Sequence, residues 1–453
     1  MDISLDMDLV EQSKKRLLNP YDYFDIYSQS LKTTMLEYHN KQLNQFIIQE
    51  SSGIGVYRSC EDTEHYSFVE EIGADALNKL CRQEGIPSGK KSVVNRSIFY
   101  DRPLSLDFTV IGQSIVDYVT NRIEIRIKSK VHTTFQIQFV TNHRHIANSA
   151  SREHQLCDST IVVKIYALST EQHASLVQCN LLLDQRWNMT KIIQRCDVAV
   201  RKLIAMMHCQ VQGRELSTGR YDIILSGADA GIMIHEVLGH PLELDSVRGG
   251  RGIFSDAIGK KISSSECTII DDGNQHIPGV NQAFDDELTP SQKTILVNQG
   301  VVRGYLSCRK TANKTSYPLT GNGRRESFRH SPIPRMTTTY LAQGPHNKNA
   351  LISELKTGLI CRSFYSGKVN IIDGSFIFYP AEAYWVKNGK IQHPLKNVAI
   401  HGNALDLLNK IDGVGNDLTF SKEHWLCSKG QHVQVGIGSP TVLIRGLSVG
   451  VKL

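Results

Sequence analysis

The sequence has 453 residues, a length that predicts about two to four structural units with large buried interiors. Hydrophobic residues make up 40% and charged residues 21%, which is typical of folded soluble proteins and excludes disordered, fibrous and membrane-spanning classes. The net charge of +6 arises from 51 basic and 45 acidic residues spread along the chain. Because binding to nucleic acid usually needs a concentrated basic surface, no nucleic-acid partner is predicted.

The N-terminus and the cysteines both indicate a cytoplasmic protein. Residues 1–18 begin acidic where a secretory signal is basic, and they lack its apolar core and cleavage site. The longest apolar run, Tyr221 to Met233, is interrupted by polar residues and falls short of the roughly 18 residues of a spanning helix. The ten cysteines are scattered singly, without a CxxC pair, so most are expected to be reduced and buried. No membrane association is predicted.

The first 110 residues predict a mixed α/β unit. Apolar spacing favours a helix and then a strand within residues 8–38. Paired strands are predicted over residues 44–56 and a helix over residues 68–85. This unit is expected to end near Pro103.

Residues 111–215 predict a mostly antiparallel sheet that ends in a connecting helix. Apolar and polar residues alternate over 123–127, 134–139 and 161–165, as in strands with one solvated face. Helical periodicity then covers residues 189–207. This helix is expected to connect the sheet to the part of the chain that carries the chemistry.

Residues 216–453 predict a β-rich C-terminal domain. Glycine and turn signals become frequent, among them Asn298-Gln-Gly300 and Lys387-Asn-Gly389, and they indicate many short strands. The predicted fold class is α+β, with units at 1–110, 111–215 and 216–453.

A candidate metal site follows a strand-like run in this domain. His235, Glu236 and His240 form an H-E-x-x-x-H pattern, in which a regular helix would rotate the second histidine by about 140° from the first. Gly239 favours helix termination, and the residue before Pro241 is disfavoured in the helical region. The sequence therefore predicts a helix end at 238–240 that turns His240 back towards His235.

Two imidazoles and a thiolate suit zinc, and a neighbouring carboxylate such as Glu236 could take the proton from the attacking water. Cys427 is a reasonable third ligand, although the other nine cysteines could be argued in the same way. The alternative at this point is a helix with two hydrogen-bonded structural histidines.

Several motifs, taken together and in order, resemble the TldD/PmbA family of metallopeptidases across most of the chain. The motifs are His235-Glu-Val-Leu-Gly-His240-Pro-Leu-Glu243, Phe284-Asp-Asp-Glu287-Leu-Thr-Pro290, Thr320-Gly-Asn-Gly-Arg-Arg-Glu-Ser327, Pro334-Arg-Met-Thr337, Glu382-Ala-Tyr384, Val414-Gly-Asn-Asp417 and Cys427 with Lys429-Gly-Gln431 and Gly438-Ser-Pro-Thr441. The resemblance implies a Zn²⁺ site formed by His235, His240 and Cys427. It also implies an N-terminal curved sheet with helices, a β-rich catalytic part, and peptide substrates.

The resemblance further implies a dimer, either of identical chains or with a paralogue of the family, that encloses a chamber for small or unfolded peptides. Trimming of leader or precursor peptides is one activity of such proteins. Two departures from the family pattern are Cys427-Ser-Lys-Gly-Gln431, which is one residue shorter than usual, and Phe364-Tyr-Ser-Gly367, where more glycine is usual.

Two other functions compete with a zinc peptidase. One is a non-catalytic peptide-binding subunit of a dimeric complex, although the three ligands and Glu236 are all present. The other is a structural zinc site, which would need a fourth protein ligand such as Cys267 or Cys308.

A turn-rich segment also carries a group of arginines with two possible roles. These side chains could hold a peptide carboxylate through forked hydrogen bonds, or they could form structural ion pairs. The group consists of Arg324, Arg325, Arg329 and Arg335.

Overall fold

The computed structural model describes residues 5, 7–18, 21–60, 63–82, 96–99, 106–127, 131–170, 175–280 and 282–451. The helices are α1 (Met7–Leu18), α2 (Ala74–Arg82), α3 (Leu106–Arg126), α4 (Met189–Gln212), α5 (Gly231–Ile234), α6 (Leu244–Val247), α7 (Arg309–Thr315), α8 (Lys348–Glu354) and α9 (Ala404–Asn409). The strands are β1 (Tyr23–His39), β2 (Gln42–Cys60), β3 (Thr63–Val69), β4 (Arg96–Phe99), β5 (Val131–Asn148), β6 (Glu153–Ser169), β7 (Ser175–Asp184), β8 (Gly219–Leu225), β9 (Ile269–Asp272), β10 (Lys293–Asn298), β11 (Val301–Val302), β12 (Gly323–Arg324), β13 (Ile333–Pro334), β14 (Thr338–Leu341), β15 (Thr357–Val369), β16 (Ser375–Lys387), β17 (Lys390–Leu395), β18 (Val398–Asn403), β19 (Ile411–Val414), β20 (Thr419–Phe420), β21 (Trp425–Ser428), β22 (His432–Ser439) and β23 (Val442–Val451).

The N-terminal half forms one antiparallel sheet of long strands. Its strand order is β3-β2-β1-β5-β6-β7, with β4 also paired to β2. The helices α3 and α4 contribute Ile115, Val119, Cys196 and Leu203 to one apolar cluster with the sheet. The helices α1 and α2 pack on it in a separate cluster. The sheet is therefore stabilised by helices on its apolar surfaces.

The C-terminal half contains two multi-stranded sheets. One has the order β11-β10-β9-β14-β22-β20, with β21 attached to β22. The other has the order β15-β8-β23-β18-β16-β17, and β15 also pairs with β16, so five of its strands close into a ring. A single large apolar cluster joins both sheets and the helical segment that follows β8. The predicted α+β fold class is confirmed.

Several predicted elements agree with the structure. The helix and strand within 8–38 correspond to α1 and β1, and the predicted helix over 189–207 lies within α4. The predicted turns at 298–300 and 387–389 connect β10 to β11 and β16 to β17. Gly300 and Gly389 adopt φ of +82° and +68° there, a conformation that glycine adopts readily.

Other predicted elements were wrong. Residues 123–127 are not a strand, because Ile123 is buried at the end of α3, whose apolar residues recur with helical spacing. Residues 44–56 form part of the single strand β2. The predicted helix over 68–85 is shorter, since β3 reaches Val69 and α2 covers Ala74–Arg82, and residues 83–85 lie outside the described residues.

The division into 1–110, 111–215 and 216–453 stays a prediction. The first boundary falls within α3, and β1 pairs with both β2 and β5, so strands from both sides of it share one sheet. Pro103 lies outside the described residues. Among the helices of the described residues, none is both long and apolar enough to cross a membrane.

Candidate metal centre

Two histidines lie on one short helical segment whose hydrogen bonding changes along its length. A 3₁₀ turn at Ala228–Ala230 leads into α5, and a π-turn at His235–Gly239 follows. The His240 backbone N–H donates to the carbonyl oxygen of His235, five residues earlier. Because the π-turn closes with this hydrogen bond, His240 lies one turn above His235. The centroids of the two imidazole rings are 5.1 Å apart.

The π-turn ends at Gly239, within the predicted helix end at 238–240, but the backbone does not turn back there. Gly239 (φ −59°, ψ −61°) and His240 (φ −59°, ψ −44°) both keep right-handed helical backbone angles. The backbone becomes extended only at Glu243 (φ −74°, ψ 130°). Pro241 is tolerated because it stands in the first turn of a new 3₁₀ helix, where its missing N–H has no partner to lose. A wider turn, rather than a helix end, brings the two histidines together.

Glycines let this segment pack closely against its neighbours. A Cβ at Gly231 would lie 2.7 Å from the carbonyl oxygen of Gly438 on β22. A Cβ at Gly239 would lie 1.9 Å from the Met336 sulfur. The histidines are therefore held against the strand that pairs with β21.

The thiol of Cys427 on β21 meets both imidazoles. Its Sγ lies 3.2 Å from Nε2 of His235 and 3.0 Å from Nε2 of His240. One donor atom of each residue lies within 4.8 Å of the other two, and all three residues are buried. Two imidazole nitrogens and a sulfur are a donor set that suits zinc. Among the described residues, this cluster of metal donors has three members, so Cys267 and Cys308 do not complete a four-ligand site.

The electrostatics of the cluster favour a metal-binding form of the thiol. Burial would raise the pKa of Cys427, but His235 and His240 outweigh burial and lower the pKa to about 4. The thiolate is the form of cysteine that binds metals. Burial raises the pKa of Glu236, and the two histidines only partly offset this rise. A carboxylate with a raised pKa is a stronger proton acceptor near neutral pH.

A buried carboxylate contacts His240 on the side away from Cys427. Oε2 of Glu243 lies 2.9 Å from Nδ1 of His240, and Lys429 Nζ donates to the same oxygen at 2.8 Å. Burial would raise the pKa of Glu243, but Lys429 and His240 lower it to about 2. When Nδ1–H of His240 donates to this carboxylate, Nε2 keeps its lone pair for a metal ion.

Arg335 fixes the loop that presents the thiol. Its buried guanidinium donates to the carbonyl oxygens of Cys427 at 2.7 Å and of Gln431 at 2.8 Å. Nε of Arg335 lies 3.9 Å from Oε1 of Glu243. One guanidinium thus holds both ends of the shortened segment 427–431.

The other arginines of the predicted group also have protein partners. Arg324 donates to two backbone carbonyl oxygens. Arg325 forms a buried ion pair with Asp25 at 2.7 Å, and Arg329 pairs with Glu70 at 3.0 Å. These contacts favour the structural interpretation of all four arginines over capture of a peptide carboxylate.

The three metal donors lie at a cavity of about 550 Å³, which Glu236 also lines. The remaining wall is largely apolar and consists of Ile232, Val369, Ile371, Trp425, Leu426 and Val435, with Ser246, Gly367, Lys368, Ser428 and Lys429. Glu236 is partly exposed, so its carboxylate can reach a molecule in the cavity. Gly367 belongs to the segment 364–367 that differs from the family pattern. A Cβ at this position would lie 1.9 Å from Phe378, so close packing by itself requires glycine there.

Comparison with known proteins identifies the family of this chain. The sequence profile of the PmbA/TldA metallopeptidase C-terminal domain matches residues 218–451. The chain belongs to the TldD/PmbA family. A metalloprotease TldD homolog of Buchnera aphidicola subsp. Acyrthosiphon pisum is 30% identical over 452 residues, which cover 95% of this chain and 92% of the relative. A zinc metalloprotease TldD homolog of Saccharolobus solfataricus is 30% identical over 243 residues, or 53% of this chain and 54% of the relative.

Solved structures agree with the fold. The crystal structure of TldE from Thermococcus kodakarensis has a TM-score of 0.71 at 14% identity and covers 98% of this chain and 100% of that chain. A Thermotoga maritima protein described as a putative modulator of a DNA gyrase has a TM-score of 0.71 at 18% identity, with 97% and 100% covered. At these identities the likeness concerns the fold alone.

The comparisons confirm the predicted TldD/PmbA resemblance and the prediction of a metallopeptidase. The structure brings His235, His240 and Cys427 together and places Glu236 at the same cavity. Sequence reasoning assigned no role to Glu243, although that residue ends the quoted histidine motif. A carboxylate three residues after a candidate histidine ligand is the signal that could have identified it.

Proposed function

We propose that this chain is a zinc-dependent peptidase in which His235, His240 and Cys427 hold Zn²⁺ and Glu236 is the catalytic carboxylate. The observation that carries this proposal is the convergence of the three donor atoms within 4.8 Å beside a cavity that Glu236 lines. Three protein ligands with an accessible fourth position are typical of catalytic rather than structural zinc. The name of the Saccharolobus solfataricus relative agrees with the choice of metal.

Glu236 moves the proton of the hydrolytic water. Zinc, when bound, supplies a Lewis acid that polarises a peptide carbonyl and makes a water molecule more acidic. The Glu236 carboxylate accepts a proton from the attacking water and returns it to the leaving amine nitrogen. Lys429 and Arg335 keep Glu243 ionised behind His240, so that His240 donates its Nδ1 proton away from the metal side.

The cavity suits peptides with an apolar side chain and a carboxylate close to the cleaved bond. Trp425, Leu426 and Ile371 provide apolar surface beside the donor atoms. Lys429 is neutralised by Glu243 at 2.8 Å and by Asp245 at 2.5 Å. Lys368 is exposed at the cavity and forms no ion pair within the described part of the chain. Its ammonium is therefore available to a carboxylate of the substrate.

The substrates we propose are small or unfolded peptides, including leader or precursor segments, because a cavity of about 550 Å³ holds only a short stretch of chain. The proposed assembly is a dimer with an identical chain or with a paralogue. For a dimer with a paralogue, the likeness to TldE shows only that such a paralogue shares this fold.

Elemental analysis of purified wild-type protein, Cys427→Ser and Glu236→Gln tests this proposal. About one zinc per chain is expected in the wild type and in Glu236→Gln, and little in Cys427→Ser, because Cys427 is a proposed zinc ligand and Glu236 is not. Peptide cleavage should fall by about 10²- to 10⁴-fold in Glu236→Gln. Wild-type protein without zinc, or with zinc that is indifferent to Cys427, would refute the site.

The same experiment separates the competing function. A non-catalytic peptide-binding subunit would bind peptides equally well with and without Glu236 and would cleave none. Cleavage by wild-type protein that disappears in Glu236→Gln while zinc is kept excludes that role.

A further inference from the structure

A largely buried lysine outside the matched C-terminal region contacts two segments of the candidate metal centre. Lys202 lies on α4, before the residues 218–451 that the family profile covers, and its side chain is 13% exposed. Its Nζ donates to Oδ2 of Asp229 and to Oε1 of Glu423. One ammonium group thus bridges two largely buried carboxylates that are 194 positions apart in the chain, from 229 to 423.

Each carboxylate lies a few positions before a metal-donor residue in the chain. Asp229 belongs to the 3₁₀ turn that begins the helical segment of His235. Glu423 lies in the connection between β20 and β21, four positions before Cys427. Lys202 therefore fixes the start of the histidine segment relative to the start of the cysteine strand.

The same contacts extend to the wall of the cavity. Ser421 Oγ donates to Oδ1 of Asp229 at 2.6 Å, and Trp425 Nε1 donates to Ser421 Oγ at 2.9 Å. Trp425 lines the cavity beside Cys427. Cys179 on β7 donates its Sγ–H to Oε1 of Glu423 at 3.2 Å. The N-terminal sheet, α4 and the cavity wall are linked by one continuous set of hydrogen bonds.

The charges in this cluster make the lysine necessary. Burial and Asp229 raise the pKa of Glu423 to about 7, and Lys202 only partly offsets them. Without the ammonium, two largely buried carboxylates would face each other, and no other cation of the described residues forms an ion pair with them, so one would have to bind a proton or move. Either change would shift the segments that carry His235 and Cys427.

We propose that Lys202 is a positioning residue for the metal centre, which holds the His235 segment and the Cys427 strand at the separation that a shared ion requires. This inference rests on the proposed zinc site. It assigns to the N-terminal half of the chain a direct part in forming a site whose ligands all lie in the C-terminal half.

The test compares Lys202→Met, Lys202→Arg and Lys191→Met in the full chain. Lys191 is a matched control because it is exposed on the same helix and contacts the Trp187 ring instead of the cluster. Zinc affinity is measured by competition with a chelator, and the visible absorption of the Co²⁺-loaded protein reports the ligand geometry. Lys202→Met should bind zinc about 10-fold or more weakly and change the Co²⁺ spectrum. Lys202→Arg should restore part of the affinity, and Lys191→Met should match the wild type.

Folded Lys202→Met protein with wild-type zinc affinity and Co²⁺ spectrum would overturn the proposal. If Lys202→Met does not fold, both measurements are made on Lys202→Gln, which removes the same positive charge but keeps a hydrogen-bond donor for the two carboxylates. Wild-type values in Lys202→Gln would then overturn the proposal, whereas weaker zinc binding would support it. Wild-type protein that binds neither metal would refute the proposed zinc site itself, independently of these variants.

Discussion

Two buried polar clusters of this protein differ in composition and in surroundings. At the metal centre, His235, His240 and Cys427 direct their donor atoms at one another beside a cavity of about 550 Å³. Between the N-terminal sheet and the C-terminal half, Arg325 pairs with Asp25, and both side chains are fully buried. The first cluster has donor atoms directed at a common point, whereas the second has cations and anions directed at each other.

The charged groups of the second cluster bind groups of the protein itself. Asp285 accepts hydrogen bonds from the backbone N–H groups of Glu287, Thr289 and Gly323 at 2.8–3.0 Å. Arg325 also donates to the Asp286 carbonyl oxygen at 2.9 Å. Burial and charge alone therefore do not identify a metal site, because metal-donor atoms that converge beside a cavity are also needed.

Removal of the buried cation of the second cluster should have the greatest effect on stability. Arg325→Met should lower the free energy of unfolding by about 3–5 kcal/mol, because it leaves the Asp25 carboxylate buried without its cation. Chemical denaturation of the metal-loaded protein measures this change. Zinc content of the folded fraction should stay at the wild-type value, because Arg325 contacts none of the three metal donors.

Arg329→Met is the matched control for this prediction. Its pair with Glu70 is about one quarter exposed, with 27% and 26% of the two side chains accessible, so the loss should stay below about 1 kcal/mol. Equal destabilisation by both substitutions would contradict the contrast between a buried and a partly exposed pair.

The second prediction concerns the carboxylate behind His240 in the first cluster and its contribution to zinc affinity. Glu243→Gln should weaken zinc binding by about 10- to 100-fold, because the neutral amide no longer stabilises the Nδ1 proton of His240. Competition with a chelator at neutral pH measures the affinity. Glu354→Gln, which changes a half-exposed carboxylate paired with Arg445, serves as the control and should bind zinc like the wild type. Unchanged affinity in Glu243→Gln would mean that this carboxylate has no part in metal binding.

A smaller effect concerns the pH dependence of stability. Burial raises the pKa of Glu287 above the ordinary value of a glutamate, and Asp285 and Asp25 add to the rise. A raised carboxyl pKa means that the folded state binds the proton more tightly, so this stabilisation is present at low pH and is lost as pH rises through the folded-state pKa. Glu287→Gln should therefore flatten the fall in stability above about pH 5, by about 1 kcal/mol.

Denaturation at several pH values measures this effect in wild-type protein, Glu287→Gln and the control Glu124→Gln. Glu124 is a surface carboxylate with 56% of its side chain exposed. A wild-type protein whose stability rises between about pH 5 and about pH 8 would contradict the predicted loss of stability with rising pH.

The smallest effect concerns substrate choice at the cavity. Lys368→Glu should raise KM several-fold for peptides with a carboxylate near the cleaved bond and leave kcat nearly unchanged. Peptides with Asp or Glu compared with Asn or Gln, and free acids compared with amides, separate a side-chain carboxylate from a terminal one. Lys390→Glu, which reverses an exposed charge on β17 outside the cavity lining, is the control. No difference between the two variants would exclude Lys368 from substrate recognition.

Prediction from sequence succeeded where the pattern was local or where several motifs occurred in order. α1, α4 and the turn at Gly389 follow from spacing and turn chemistry. Residues 123–127 failed because alternating Ile residues at the end of a long helix also satisfy the strand period. Whether Ile123 packs as part of α3 depends on the sheet beneath it, which the local sequence does not contain.

The sequence by itself determined which side chains are available for the chemistry: His235, Glu236 and His240 in one motif, and Cys427 through the ordered family motifs. Only the tertiary structure decided how they meet. A histidine spacing of five residues is compatible with several backbone geometries, and the packing of Gly231 and Gly239 against neighbouring elements accompanies the π-turn that aligns the rings.

The contacts behind the ligands were likewise decided only by the fold. Glu243 and Arg335 hold His240 and Cys427, and Lys202 reaches both segments from the N-terminal half. These partners are separated from the ligands by up to 225 positions, from 202 to 427. Their contacts exist because the packing of α4 and the C-terminal sheets brings distant residues together, and no local pattern encodes that packing.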